Sequence, residues 1–322
     1  MTSILSTMRT KARMILPLLA GLWLVPAQAG ELTIYAAVEA DNLKIIGDAF
    51  NKQHPNIKIS WVRDSTGIIQ ARLMAEKDNP RNDVLFGMTV TTAMTFENMG
   101  MFMPYEPKGM DKLTALFLSK TKPAPWVGLY GWASAICFNT IEAKKNNLPT
   151  PVKWADLADP VYKGRIIMPN PASSGTGFLM VSAWIQMWGE EKAWAYMDKL
   201  HANVASYTHS GSKPCEQAAA GENVIGLSLP IRGARLKTQG APLNVIIGEE
   251  GTGWEMQVAG IMKNSKNVED SKTFMDWVVS QNAMETYAKM NEVTALPVKV
   301  QKPENMPANI VKAGAIVPHR SG

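Results

Sequence analysis

Short apolar strands alternate with helical segments along most of this chain, and that alternation narrows the fold more than any other feature. Leu32-Thr33-Ile34-Tyr35 reads as a strand, followed by a helix with Leu43, Ile46 and Phe50 on one face. Ile57 to Val62 alternates in strand fashion, and the next helix opens at Ser65-Thr66-Gly67 and continues through Ile69 and Leu73. Asp83 to Phe86 is a further strand. The pattern resumes with Arg165 to Met168 as strand and a long helix through Phe178, Val181 and Ile185. Val224–Ser228 and Leu243–Ile247 supply two more strands. Such repetition predicts α/β architecture with parallel layering. Two extended, apolar, glycine-marked segments, Gly128–Asn139 and Gly251–Met262, read as crossings between lobes. One lobe is then residues 31–130 plus 254–322, the other residues 131–253, with a ligand cleft between them. In open α/β sheets, ligands sit beyond the carboxyl ends of strands, at helix starts.

The first residues bear on where the chain works. Arg9, Lys11 and Arg13 precede an apolar run from Met14 to Pro26, and Ala27-Gln28-Ala29 has the small-x-small pattern of a cleavage site. Residues 1–29 are therefore expected to be a cleaved secretory signal peptide, and the periplasm the destination. The apolar run is too short for a membrane span, which needs ~20 residues. Removing three basic residues and no acid takes the formal charge from +5 to +2. With no run of like charges, nucleic-acid binding is not supported. The two cysteines, Cys137 in a strand-like run and Cys215 near a helix start, permit one disulfide in an oxidising compartment, two buried thiols being the other outcome.

The most informative stretch is Pro169 to Phe178, which lies between a strand and a helix and holds Ser173, Ser174, Gly175, Thr176 and Gly177. Hydroxyls and closely approached backbone N–H groups at a helix start suit an anion. A single capping residue is the plainer reading, but a cap needs only one hydroxyl and this loop has three. Arg63-Asp64-Ser65-Thr66-Gly67 is a shorter version on the other lobe, so an anion held between two facing helix starts is expected. A third polar loop, Tyr207 to Pro214, adds Ser210 and Lys213.

Ser210 and Lys213 also spell S-x-x-K, which keeps an exported serine hydrolase as an alternative; no S-D-N, K-T-G or G-x-S-x-G accompanies it. Catalysis is the weaker reading, and no cofactor or metal motif is present in the sequence. Glu39 and Glu255 are the carboxylates placed to meet a cationic group on a ligand, while Asp41 matches the dipole of the helix it opens. Tyr207, Trp132 and Trp254 supply aromatic faces near the crossings, with Trp126 and Tyr130 beside them.

The segments WVRDSTGI (61–68), AICFNT (135–140), KWADLADPVYKGRIIMPNPASSGTGF (153–178), THSGSKPC (208–215) and the Gly253–Met256 stretch carry a resemblance. The whole mature chain resembles solute-binding proteins of ABC transporters with the type II periplasmic fold, a group that includes ferric-iron and polyamine binders. RDSTG and THSGSKPC resemble its 2-aminoethylphosphonate-binding branch. The resemblance implies a monomeric, non-enzymatic protein that closes its lobes on a small phosphonate and delivers it to a membrane permease. It places the phosphonate on Ser65, Thr66, Gly67, the 173–177 loop, Ser210 and Lys213. The ammonium then falls to Glu39 or Glu255, with Tyr207, Trp132 or Trp254 as an aromatic wall. Leu229-Pro230 stand where an acidic or aromatic residue is expected in that branch. A phosphate or organophosphate is the alternative ligand.

Overall fold

The computed structural model describes residues 30–290, 293–299, 304–307 and 316–317, so the signal peptide expected over 1–29 lies outside the described residues. Strands β1 (Gly30–Ala36) and β2 (Ile57–Arg63) are parallel neighbours joined through α1 (Ala40–Gln53), whose Leu43, Ile46 and Phe50 are buried. The helix α2 (Thr66–Ala75) leads on to β3 (Val84–Thr89), which pairs with β1 from the other side, again parallel. Next come α3 (Val90–Asn98) and the short β4 (Phe102–Met103). Strand β5 (Val127–Ala133) closes this part of the first sheet, and after Ser134 alone β6 (Ala135–Asn139) already belongs to the second.

The second sheet gathers around β6. The chain runs through α4 (Thr140–Lys145), β7 (Ile166–Pro169), α5 (Gly175–Trp188), α6 (Glu190–Asn203) and β8 (Val204–Thr208). It continues with α7 (Lys213–Ala219), β9 (Ile225–Ser228), α8 (Pro230–Thr238) and β10 (Leu243–Ile246). The strand order is β10-β6-β9-β7-β8. The long β11 (Thr252–Met262) then returns to the first sheet, antiparallel to both β3 and β5. Helices α9 (Val268–Val278) and α10 (Gln281–Ala288) follow, with β12 (Val293–Thr294) and β13 (Ile316–Val317) completing a sheet ordered β12-β5-β11-β3-β1-β2. The strand–helix units are parallel, as their alternation implies. The crossing strands are antiparallel to their neighbours, which makes both sheets mixed.

Each sheet has its own core. Phe50 packs on Phe274 and Trp277 of α9, with ring centroids 5.2 and 5.4 Å apart, so the chain's later helices seal the first sheet. Asp83 fixes their entry: its carboxylate accepts from Thr33 N–H, Ser265 Oγ and the Lys266 and Asn267 N–H groups. In the second lobe Trp154, Trp184 and Tyr196 stack edge to face. The face of α5 differs from its expected one. Leu179, Met180, Ala183 and Trp184 are buried, whereas Phe178 is 48% exposed. Apolar residues surround this helix almost completely, so periodicity alone does not select a face.

Cys137 of β6 and Cys215 of α7 form a disulfide, Cα–Cα 5.3 Å, within the second lobe. The two residues are 78 apart in sequence, and cross-links over loops of that size typically add ~2–4 kcal/mol by restricting the unfolded chain. Reduction should therefore lower the stability of the intact protein by about that much, read as a shift of its urea midpoint. An unchanged midpoint would show that the bridge contributes nothing to the fold.

Candidate functional site

The two hydroxyl-bearing helix starts meet across the cleft between the sheets. Gly67 N–H, in the first turn of α2, donates to Ser173 O at 2.9 Å, just before α5. Both helices begin with very small residues at the contact. A Cβ on Gly67 would lie 2.2 Å from Ala172 O, and one on Gly175 would lie 2.7 Å from Thr66 Oγ1. Neither approach tolerates a side chain. Further bonds tie the same surfaces: Ser212 Oγ donates to Glu39 Oε1 at 2.7 Å, and His209 Nε2 stands 2.6 Å from Asp64 Oδ1. At the outer edge Arg232 of α8 pairs with Asp41 at 3.3 Å, and Arg235 donates to Asn42. Asp41, which matches its helix dipole as expected, thus also bridges the lobes.

Between these contacts lies a cavity of about 80 Å³. Its polar wall is Glu39, Asn42, Arg63, Ser65, Thr66, Ser174, Gly175, Thr176 and Gly211, with Gln257 beyond. Tyr130, Trp132, Leu229 and Ile231 supply apolar surface. Ser65 is the N-cap of α2 yet makes no side-chain cap bond, so its buried hydroxyl is uncommitted. Ser174 does cap α5, accepting from Gly177 N–H at 3.4 Å, so the plain capping role holds for this serine. Thr66, Gly175 and Thr176 occupy the first helical positions, where N–H groups have no intrahelical acceptor. Two helix starts converging with their hydroxyls make a site suited to an oxyanion.

One charged donor was not legible as such in the sequence. Arg63, the last residue of β2, donates from Nε to Val38 O at 3.0 Å and from Nη2 to Glu39 Oε2 at 2.7 Å. Those bonds hold a cation at the cavity wall and leave Nη1 uncommitted. They also engage Glu39, one oxygen with Arg63 and the other with Ser212. Tyr130 is fully buried, and its phenol pKa is pushed up, first by burial and then by the Glu39 charge. It therefore stays a neutral hydroxyl.

Of the residues singled out in the sequence, Ser65, Thr66, Ser174, Gly175, Thr176, Glu39 and Trp132 line this one cavity. Gly67 and Ser173 form the inter-lobe hydrogen bond beside it, and Gly177 is spent on the cap. The structure places the remaining candidates outside this cavity. Ser210 Oγ accepts from the Lys213 backbone N–H at 3.4 Å, while the Lys213 side chain is exposed; neither residue lines the cavity, and Gly211 takes their place. The Ser210 hydroxyl shows no contact with Lys213 Nζ, so a serine–lysine pair for hydrolysis is not assembled. Tyr207 lies in a separate groove, bonded to His201 at 2.8 Å, on the edge strand β8, whose middle residues are exposed. Trp254 and Glu255 face a different space, between α3 and α5. Glu255 follows the helix start nearest to it: Thr91 Oγ1 donates to Oε2 at 3.2 Å and Met256 N–H to Oε1 at 2.8 Å.

Burial raises the Glu255 pKa from an ordinary 4.5 to about 7, against the opposing pull of the Met256, Thr91 and Val90 bonds. The folded protein then holds this proton where the unfolded chain has lost it. Stability should be highest below pH 4.5 with respect to this group and fall as pH rises to about 7. The cost above that range is on the order of 3 kcal/mol. Glu255→Gln should flatten the stability profile over that interval in urea titrations; an unaltered slope would mean that Glu255 ionises normally.

Comparison with known proteins gives a consistent picture. The family model described as bacterial extracellular solute-binding protein matches residues 79–314. An uncharacterized protein of Haemophilus influenzae is 32% identical over 266 residues, 82% of this chain and 77% of its own. A probable ABC transporter periplasmic-binding protein of Sinorhizobium fredii is 26% identical over 293 residues, 88% of this chain and 80% of its own. A putative 2-aminoethylphosphonate-binding periplasmic protein of Salmonella typhimurium is 28% identical over 170 residues, 52% of this chain and 46% of its own. Among solved structures, the periplasmic binding protein AfuA of Actinobacillus pleuropneumoniae, with fructose 6-phosphate bound, superposes with a TM-score of 0.79. It is 30% identical, and the match covers 89% of this chain and 94% of that one.

Proposed function

The chain belongs to the bacterial extracellular solute-binding proteins, and we propose that within that family it captures a small organic ligand by its phosphonate or phosphomonoester group. Its relatives are periplasmic binding proteins of ABC transporters rather than enzymes, and its place is that of the solute-binding component. One observation carries the ligand reading: the starts of α2 and α5, with Ser65, Thr66, Gly175 and Thr176, converge on one cavity that also holds Arg63. Charge-assisted hydrogen bonds are worth ~1.5–3 kcal/mol each, so a handful from N–H groups, hydroxyls and a guanidinium binds a dianion without metal. Closure of the lobes brings the two halves of this set together, and opening releases the ligand to the permease. The protein acts as a monomer after loss of residues 1–29.

Two relatives support a phospho-oxyanion from different directions, one named for 2-aminoethylphosphonate and one holding fructose 6-phosphate. For 2-aminoethylphosphonate itself, the phosphonate end has its donors and the ammonium end has only Glu39, whose two oxygens already serve Arg63 and Ser212. Ferric iron is a poorer fit, because the donors facing the cavity are N–H groups, neutral hydroxyls and a guanidinium, a set that attracts anions.

Thermal unfolding tests this reading. Inorganic phosphate and methylphosphonate should each raise the melting temperature, whereas ferric citrate and putrescine should not; at 100-fold the Kd a ligand adds about 2.7 kcal/mol. Thr176→Val should weaken methylphosphonate binding about tenfold while leaving the melting temperature of the ligand-free protein within a few degrees. Stabilisation by ferric citrate alone, or unchanged affinity in the variant, would overturn the assignment.

A further inference from the structure

Asn42 stands in the first turn of α1 and lines the cleft cavity, half-buried. Its amide carries two unlike ends, a carbonyl that accepts and an NH2 group that donates. Arg235 Nη1, from α8 of the other lobe, donates to Asn42 Oδ1 at 3.0 Å. A guanidinium has donors alone, so it selects the oxygen and fixes which way round the amide lies. Arg235 itself does not line the cavity; its Nη2 donates to Lys289 O at 3.4 Å. The Asn42 backbone N–H is spent on Asp41 Oδ1 at 3.0 Å. Among the described residues, Asn42 Nδ2 has no hydrogen-bond partner.

Each partner is carried on a firmly packed part of its own lobe. Helix α1 buries Leu43 and Ile46, the first next to Asn42 and the second one turn on, in the core of the first sheet. Helix α8 presses on the second sheet through Gly233, where a Cβ would lie 2.7 Å from Val245 Cγ2 and 2.9 Å from Cys137 Sγ. Ile231, near the start of α8, lines the same cavity, and Arg235 follows it by one helical turn on the same face. The Arg235–Asn42 bond therefore forms as the lobes come together and is lost as they part. In an open cleft the amide is free to rotate, and water takes either end.

Resting on the phospho-oxyanion reading, we infer that Asn42 Nδ2 is a further donor to the bound anion and that Arg235 is its positioning residue, so that closure of the lobes completes the donor set. Arg235 acts through Asn42 and touches no ligand. By holding the amide oxygen, it keeps an acceptor that would repel the anion away from it and leaves the donor end. Arg63 is turned in the same way within its own lobe, by Val38 O and Glu39. A plain clamp between lobes is the competing role for this contact, and it predicts the opposite sign for one substitution. Asn42→Asp keeps the shape and gives Arg235 a charged acceptor, which strengthens a clamp. The same change replaces the Nδ2 donor by a carboxylate oxygen, which opposes an anion.

Calorimetric titration of the mature protein with methylphosphonate tests this, with the melting temperature of each ligand-free variant as the control for folding. Asn42→Asp should weaken binding at least tenfold, and Asn42→Ala about tenfold. A double-mutant cycle then isolates the positioning role. In an Arg235→Met background, Asn42→Ala should cost no more than about threefold, because the amide has already lost its orientation. Wild-type or tighter affinity in Asn42→Asp would assign the contact to a clamp and overturn the inference, as would unchanged affinity in Asn42→Ala. A penalty above threefold for Asn42→Ala in the Arg235→Met background would show that Arg235 does not position it. In each of these cases wild-type binding still upholds the phospho-oxyanion reading. If the wild-type protein binds neither methylphosphonate nor inorganic phosphate, that reading falls and this inference with it.

Discussion

The contact between the starts of α2 and α5 is the constraint on which the rest of the site depends. Gly67 N–H reaches Ser173 O at 2.9 Å only because neither Gly67 nor Gly175 carries a Cβ. This close approach points two sets of unpaired helix N–H groups at one small volume, where a single side chain would separate them. It lies where β2 and β7 end, so the strand order of both sheets serves to bring these two turns face to face. The crossings at Ser134 and before Thr252 leave each sheet with its own core, and the cleft is the seam between those cores.

Much of this was legible in the sequence, for identifiable physical reasons. Strands and helices alternate with strong periodicity, and nearly every expected strand falls within a residue or two of its place. The loops at 65–67 and 173–177 stood out because hydroxyls and glycines cluster between a strand and a helix, and that pattern is local. The second lobe's disulfide was permitted by export and cysteine count, although only geometry brings Cys137 and Cys215 within reach.

What sequence did not convey was direction and pairing. Glu255 and Gln257 are two residues apart on β11, yet Gln257 lines the cleft cavity and Glu255 serves the start of α3. Arg63 read as an element of a polar turn, whereas its bonds to Val38 and Glu39 make it the guanidinium at the cavity wall. Those same bonds change the meaning of Glu39 from a partner for a ligand cation to a partner for the arginine. Lys213, the most obvious positive charge in the third loop, is exposed, and the backbone at Gly211 stands at the cavity instead. On the proposed reading, anion capture depends on hydroxyls and N–H groups positioned by the fold more than on formal charge.

The most direct test is a crystal structure of the mature protein grown with methylphosphonate, with the phosphorus located in the difference density. The expected position lies between the starts of α2 and α5, within hydrogen-bond reach of the Thr66, Gly175 and Thr176 N–H groups and the Arg63 guanidinium. Phosphorus bound elsewhere in the cleft, or a closed cleft that excludes it, would contradict capture by facing helix starts.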